Sequence, residues 1–97
     1  MTLSDEALAE ALRGLPQWRY EAAERAIRRE FRFGDFGAAF AFMTRVAIAA
    51  EKADHHPDWS NSWNRVAVAL STHSAGGVTG KDVELARAMD GFAADLP

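Results

Sequence analysis

Hydrophobic residues recur along the chain with two different periods, and the changes of period predict the secondary structure. Near the N-terminus Ser4 precedes two acidic residues, which is typical of a capped helix start. Leu8 and Leu12 lie four positions apart and therefore share one helical face. Gly14 and Pro16 follow them and predict the end of this first helix.

The period shortens to about two within "WRYEAAERAIRREFRF", which predicts a half-buried strand in its second half. Trp18 and Tyr20 begin a preceding strand, so the segment forms a hairpin with its turn near residues 21–23. Arg29 interrupts the apolar side of the second strand and predicts an edge position for it. The apolar side consists of Ile27, Phe31 and Phe33.

A long helix is predicted to start after Asp35, whose carboxylate caps it, and to run to about Asp54. Pro57 disfavours helical geometry at the preceding residue, so the helix ends by then. Two apolar stripes on this helix exceed what one core face needs, which predicts packing on two neighbours, one of them another subunit. The stripes are Phe36, Phe40, Met43, Ala47 and Ala50, and Phe42, Val46, Ala49 and Ala53.

The remaining sequence predicts one more strand and one more helix. "SWNRVAVALST" follows a short extended piece and alternates, with Val66, Val68 and Leu70 on its apolar side. "AGGVTG" is a loop, and Thr79 with Asp82 then resembles a capping box. The last helix carries one apolar stripe, formed by Leu85, Ala86, Met89, Phe92 and Ala93.

The order of these elements predicts the fold class. Helix, two strands, long helix, short extended piece with strand, and final helix make an α+β fold, an antiparallel sheet with helices on one face. The chain has 97 residues and contains no repeat, low-complexity stretch or linker. We therefore expect a single domain over residues 1–97.

Composition narrows the classes of function. The net charge of −3 argues against a nucleic-acid binder, which needs a basic face. The absence of cysteine excludes disulfides, thiolate nucleophiles and zinc-thiolate sites. The first residues lack the apolar core of a signal peptide, and the most apolar run is interrupted by Arg45 and too short to span a bilayer. We expect a cytoplasmic protein that binds neither nucleic acid nor membrane.

The three histidines lie in two clusters, "EKADHHPDW" and "STHSAGG". Residues that bind one metal ion normally lie three or four apart on a helix, or two apart on a strand, because those spacings share a face. His55 and His56 are adjacent and face one ion only if the chain bends sharply between them. The pattern therefore disfavours a metal site.

Two interpretations of the histidines remain open from the residues alone. The pair is suited to capping the C-terminus of the long helix, where cations interact favourably with the dipole. It is equally suited to proton transfer, because free imidazole has a pKa of about 6.5. Glu51 precedes His55 by one helical turn and can hold its ring. No nucleophile stands beside a base, and the hydroxyls of Ser71, Thr72 and Ser74 are typical of strand ends that satisfy backbone groups.

Several stretches are similar to a known family: "FRFGDF", "AFMTRVAIAAEKADHHPDW" and "NRVAVALSTHSAGGVTGKD". Their most specific part is Glu51-Lys52-x-x-His55-His56-Pro57-x-Trp59, followed by Ser71-Thr72-His73. From about Trp18 to Met89 the chain resembles the pterin-4a-carbinolamine dehydratases, which are also known as dimerization cofactors of a homeodomain transcription factor.

This resemblance implies a four-stranded antiparallel sheet with three helices packed on one face. It implies removal of water from 4a-hydroxytetrahydropterin to give quinonoid dihydropterin, which supports recycling of the pterin cofactor of aromatic amino acid hydroxylases. It implies no metal and no organic cofactor. The catalytic residues that it implies are His55, His56, His73 and Glu51. The substrate-binding residues that it implies are Asp54, His55, His56, Ser71, Thr72, His73, Ser74 and Asp82.

The resemblance also implies partners. Family members form dimers that pair into tetramers, so a homodimer or homotetramer is expected. Some members bridge the dimerization helices of a transcription factor through the long helix, here the surface around Phe42, Val46 and Ala49. The three histidines favour an enzyme over a pure adaptor, which has no need of them. They do not distinguish this substrate from another pterin, such as an intermediate of molybdopterin metabolism.

Overall fold

The computed structural model describes residues 1–97 as three helices and one four-stranded sheet. The strands are all antiparallel to their neighbours, in the order β1-β2-β4-β3. This arrangement confirms the predicted α+β class. Along the chain the elements are α1 (Asp5–Arg13), β1 (Arg19–Glu21), β2 (Ala26–Arg32), α2 (Phe36–Ala53), β3 (Asp58–Ser62), β4 (Arg65–Leu70) and α3 (Gly80–Ala94).

Each helix begins directly after the residue that its sequence predicts as the N-cap. The Ser4 hydroxyl accepts from the N–H of Ala7 at 3.1 Å, and the Asp35 carboxylate accepts from the N–H of Ala38 at 2.8 Å. Thr79 caps α3. A side-chain oxygen at this position satisfies a backbone donor that has no partner inside the helix. The predicted helix starts are therefore confirmed.

The β1–β2 hairpin turns slightly later than the sequence predicts. Glu21 pairs with Ala26, so the turn occupies residues 22–25 rather than 21–23. Arg25 lies in the left-handed region with φ of 53°. A side-chain hydrogen bond from Arg28 lowers the pKa of Glu24 below its usual value, and this pair ties the turn to β2.

The polar character of Arg29 predicted that β2 is an edge strand. This prediction is wrong, because β2 lies between β1 and β4. Its guanidinium lies 4.0 Å above the centroid of the Phe31 ring and donates to the Asp90 carboxylate at 2.6 Å. Trp18 Nε1 donates to the same carboxylate oxygen at 2.8 Å. The Asp90 carboxylate on α3 therefore neutralises the Arg29 charge on the inner face of β2. Local sequence does not reveal this contact.

The predicted strand over "SWNRVAVALST" is shorter than expected. Trp63 and Asn64 form the turn between β3 and β4, and Trp63 has a left-handed φ of 49°. The Asn61 amide donates to the carbonyls of Trp63 at 3.0 Å and Arg65 at 2.8 Å, which holds this turn. The expected extended piece before it is strand β3.

One face of the sheet and all three helices share a single hydrophobic core. The inward positions of β2 and β4 are those that the two-residue period predicts. Their side chains pack against α1, α2 and α3, so the helices cover one sheet face. The central core residues are Leu8, Ile27, Phe31, Phe42, Val46, Val66, Val68, Leu70, Leu85 and Met89.

The two apolar stripes of α2 do not have the roles that the sequence predicted for them. Phe42 and Val46 are fully buried within the chain, so the expectation that they line an interface is wrong. Phe36, Phe40 and Ile48 are instead 50%, 56% and 60% exposed. The difference arises because the sheet lies against the 42–46 side of the helix. No helix, including the 18-residue α2, is both long enough and apolar enough to cross a membrane.

Phe42→Ala is expected to destabilise the fold by about 3–5 kcal/mol, because truncating a fully buried aromatic ring leaves a cavity. The Phe42 ring lies 4.6 Å from that of Phe31 and 5.0 Å from that of Phe33, centroid to centroid. Urea unfolding measures the change. Phe40→Ala is the matched control on the exposed side of the same helix. A loss no larger in Phe42→Ala than in Phe40→Ala would contradict the core assignment.

Candidate active site

The two histidine clusters meet at one edge of the sheet. His55 and His56 immediately precede β3, and His73 follows the end of β4. The strands are antiparallel, and Asp58 at the start of β3 pairs with Ala69 near the end of β4. Antiparallel pairing places the start of one strand beside the end of its neighbour. Segments that are 17 residues apart in sequence are therefore neighbours in the fold.

The C-terminus of α2 directs the two adjacent histidines to different surroundings. Asp54 adopts the left-handed conformation with φ of 52°, and the N–H of His55 donates to the Ala50 carbonyl at 3.1 Å. This is the geometry of a Schellman-type helix end, which reverses the chain direction. His55 consequently enters the interior, where it is 8% exposed, whereas the His56 side chain is 56% exposed.

His55 is held by a buried carboxylate. Its Nε2 lies 2.5 Å from Oδ1 of Asp82, which is fully buried. The other carboxylate oxygen accepts from the Thr72 hydroxyl at 2.9 Å and from the N–H of Thr79 at 2.8 Å. The carboxylate thus completes the capping box of α3 and fixes the imidazole at the same time, so the two interpretations of Asp82 are compatible.

Glu51 orients His56 rather than His55. Its Oε1 lies 2.8 Å from Nε2 of His56, and both side chains are exposed. The sequence predicted His55 as the partner because a continued helix would bring positions four apart together. The left-handed residue Asp54 ends the helix first, so His55 turns inward and His56 takes the place beside Glu51.

His73 stands on the surface in a short 3₁₀ turn, His73–Ala75. Its side chain is 83% exposed, and Nε2 lies 3.4 Å from Oδ2 of Asp58 at the start of β3. Because Thr72 bonds to Asp82, the segment that carries His73 is joined to the carboxylate that holds His55. Each imidazole has its own acidic neighbour: Asp82 for His55, Glu51 for His56 and Asp58 for His73.

The other residues expected at the substrate divide into two groups. The hydroxyls of Ser71 and Thr72 are engaged inside the protein: Ser71 donates to the Arg25 carbonyl at 2.8 Å, and Thr72 contacts the Thr79 hydroxyl at 2.7 Å. These two hydroxyls directly stabilise the loop that follows β4. Asp54 and Ser74 are exposed and face solvent.

The largest cavity near these residues, of about 440 Å³, lies between α2 and α3. His55 lines it, together with Lys81 and Glu84 and a floor of small apolar side chains. His56 and His73 do not line it and open instead onto the surface. No three histidine or acidic side chains are grouped as a metal site would require.

Sequence reasoning missed two acidic contacts of the histidines, those made by Asp58 and Asp82. Asp58 lies within the histidine motif, but nothing in the sequence links it to His73. Asp82 was located by its capping-box spacing, yet its contact with His55 spans 27 residues. Only the pairing of β3 with β4 and the packing of α3 on α2 create these contacts.

The family model described as "Pterin 4 alpha carbinolamine dehydratase" matches residues 1–92. The chain belongs to this dehydratase family. A relative from Rhizorhabdus wittichii is 57% identical over 94% of both chains, and one from Bradyrhizobium sp. (strain ORS 278) is 59% identical over 97% of this chain and 94% of its own. Both are assigned, provisionally, as pterin-4-alpha-carbinolamine dehydratases. These similarities support dehydratase activity.

Two solved structures share the fold. The crystal structure of a transcriptional coactivator/pterin dehydratase from Brucella melitensis matches with a TM-score of 0.93 and 47% identity, over 96% of this chain and 99% of that one. A pterin dehydratase-like protein described as a RuBisCO assembly factor in the alpha-carboxysome matches with a TM-score of 0.68 and 22% identity, over 79% of this chain and 89% of that one. The latter is similar in fold alone.

Proposed function

We propose that the protein dehydrates 4a-hydroxytetrahydropterin to quinonoid dihydropterin by acid/base catalysis with His55, His56 and His73. One observation carries the proposal: the buried carboxylate of Asp82 holds His55 and, through Thr72, the segment that bears His73. A buried charge is costly unless it has a specific task or partner. Here it bonds to one imidazole and to the residue that directly precedes another in the chain.

The reaction needs one proton to be given and one to be taken. The hydroxyl on C4a leaves as water once it is protonated, the proton on N5 is lost, and a C4a=N5 double bond forms. Imidazole titrates near neutral pH, so one ring can donate while another accepts. The proton taken from N5 replaces the one given to the hydroxyl, so no other reactant is required.

The acidic neighbours prepare the rings for this exchange. With the Asp82 carboxylate accepting at Nε2, neutral His55 carries its proton on Nε2 and keeps the lone pair on Nδ1. Glu51 supports His56 in the same way. In this proposal the exposed Asp54 and Ser74, with the backbone of the 71–74 segment, contact the ring of the substrate.

In this proposal the product is a quinonoid dihydropterin that a reductase returns to the tetrahydro form. The protein would then serve a hydroxylase that releases the carbinolamine. The direct test is stopped-flow absorbance of enzymatically generated carbinolamine, with and without the protein. Decay accelerated in proportion to protein concentration supports the proposal, whereas decay at the spontaneous rate rejects it.

The exposed side of α2 supports a second proposal, self-association. Phe36 and Phe40 are in contact, with ring centroids 5.8 Å apart, and Ile48 is a third exposed apolar side chain on the same helix. Contiguous exposed apolar surface of this kind is typical of an interface. We infer that a second copy covers it in a homodimer or homotetramer. The Brucella melitensis relative is named as a coactivator, which makes a helix of another protein the competing occupant.

Phe40→Glu is expected to lower the oligomeric state, because it puts a charge into an interface while leaving the core intact. Light scattering measures the mass, and the thermal midpoint should change by no more than a few degrees. Ala9→Glu, on the exposed side of α1, is the control and should keep the wild-type mass. A wild-type mass equal to that of the monomer, or an unchanged mass in Phe40→Glu, would count against self-association through α2.

A further inference from the structure

The loop that carries His73 is closed at its base. The N–H of Thr72 donates to the Gly77 carbonyl at 2.8 Å, and the N–H of Gly76 donates to the Thr72 carbonyl at 3.0 Å. Gly76 has φ of 80°, which a glycine adopts without strain. Because these bonds tie the two ends of the loop together, the position of His73 depends on what holds residues 72 and 77.

The inner side of this base rests on Asp82, and its outer side rests on the N-terminal segment. The N–H of Leu3 donates to the Val78 carbonyl at 2.9 Å, and its side chain packs against the hydrophobic core. A Cβ atom at Gly77 would lie 3.0 Å from Cγ2 of Thr2, which is closer than ordinary van der Waals contact. The segment Thr2–Leu3 therefore lies directly against the loop base.

We propose that the segment Thr2–Leu3 is a positioning element for His73, closing over Gly77 and Val78 so that the loop is held between the N-terminus and Asp82. The inference rests on the proposed dehydratase function, since it assigns the segment a role in placing a catalytic ring. None of its atoms needs to touch the substrate. Catalytic groups must be held closely in place, and a displacement of about 1 Å can cost up to about 10²-fold in rate.

The deciding variant is Leu3→Asp, which releases the segment from the core. Leu12→Asp is its matched control, because Leu12 is also a partly buried leucine packed on the core but lies within α1 and makes no backbone hydrogen bond to the loop. We expect Leu3→Asp to lower kcat about tenfold with little change in KM. Leu12→Asp should retain the wild-type kcat at a comparable loss of thermal stability. Equal kcat in the two variants would overturn the proposal.

Amide hydrogen exchange tests the same idea without activity. In Leu3→Asp the Thr72 amide should exchange at least about tenfold faster relative to that of Met89 in α3, and in Leu12→Asp the ratio should stay as in wild type. An unchanged ratio in Leu3→Asp also overturns the proposal. If wild type does not accelerate dehydration, the proposed function fails, while this exchange ratio still decides whether the segment holds the loop.

A pair of variants at the contact itself gives an independent check. Gly77→Ala should displace the segment and lower kcat several-fold, since the new methyl group meets Cγ2 of Thr2. Adding Thr2→Ala removes that atom and should restore the wild-type kcat. Failure of the second substitution to restore it would show that the effect of Gly77→Ala does not pass through the N-terminal segment.

Discussion

The double variant His56→Ala/His73→Ala is expected to lose at least about 10³-fold in dehydration rate while keeping its fold. A positioned imidazole contributes about 10²–10⁴-fold, and removing both exposed rings leaves only His55. The fold should persist because the two side chains are 56% and 83% exposed, so truncation creates no cavity in the core.

Single-turnover kinetics with enzymatically generated carbinolamine measures this loss, and circular dichroism with thermal unfolding checks the fold. Lys52→Ala is the control: it truncates an exposed side chain in the last turn of α2, beside Glu51 and outside the proposed catalytic set. A folded double variant that retains activity within about tenfold of wild type would refute histidine catalysis at this edge of the sheet.

Asp82→Asn is expected to lower kcat by about 10²-fold or more, although it conserves the shape of the side chain. The amide oxygen can still accept from Thr79 and Thr72, but its NH₂ group then faces Nε2 of His55. An NH₂ group cannot accept a proton, so neutral His55 is driven to the opposite tautomer, with its proton on Nδ1. His55 thereby loses the Nδ1 lone pair that it keeps in the proposed mechanism.

The tautomer of His55 is measurable directly from the ¹⁵N chemical shifts of its ring. We expect proton occupancy to move from Nε2 in wild type to Nδ1 in Asp82→Asn, together with a stability loss of about 1–3 kcal/mol from the disturbed buried network. Glu10→Gln neutralises an exposed acid on α1 and should alter neither property. Loss of activity without a change of tautomer would assign Asp82 a merely structural role.

Much of the fold was predictable because its signals are local. The helix starts at Ser4, Asp35 and Thr79 follow from side chains that bond to backbone groups two or three residues away. The apolar side of β4 follows from alternation alone. Family resemblance added the strand count and implied catalytic roles for the three histidines, but it did not give their contacts.

The predictions that failed concern which neighbour a residue faces. Phe42 was expected on an interface because both stripes of α2 are apolar, and only the docked sheet shows which one is the core. Arg29 was expected at an edge because no partner was visible in sequence. Its partner, Asp90, lies 61 residues away on α3.

The candidate site also combines features that the sequence determined with features that only the tertiary structure decided. Residue type and order along the chain were enough to identify histidines suited to proton transfer, since chemistry and helix capping depend on nearby residues. Tertiary structure alone assigned their partners: Glu51 to His56, Asp58 to His73, and Asp82 to His55. Those pairings depend on a left-handed turn at Asp54 and on strands and helices packed from distant parts of the chain, and such contacts leave no periodic trace in a single sequence.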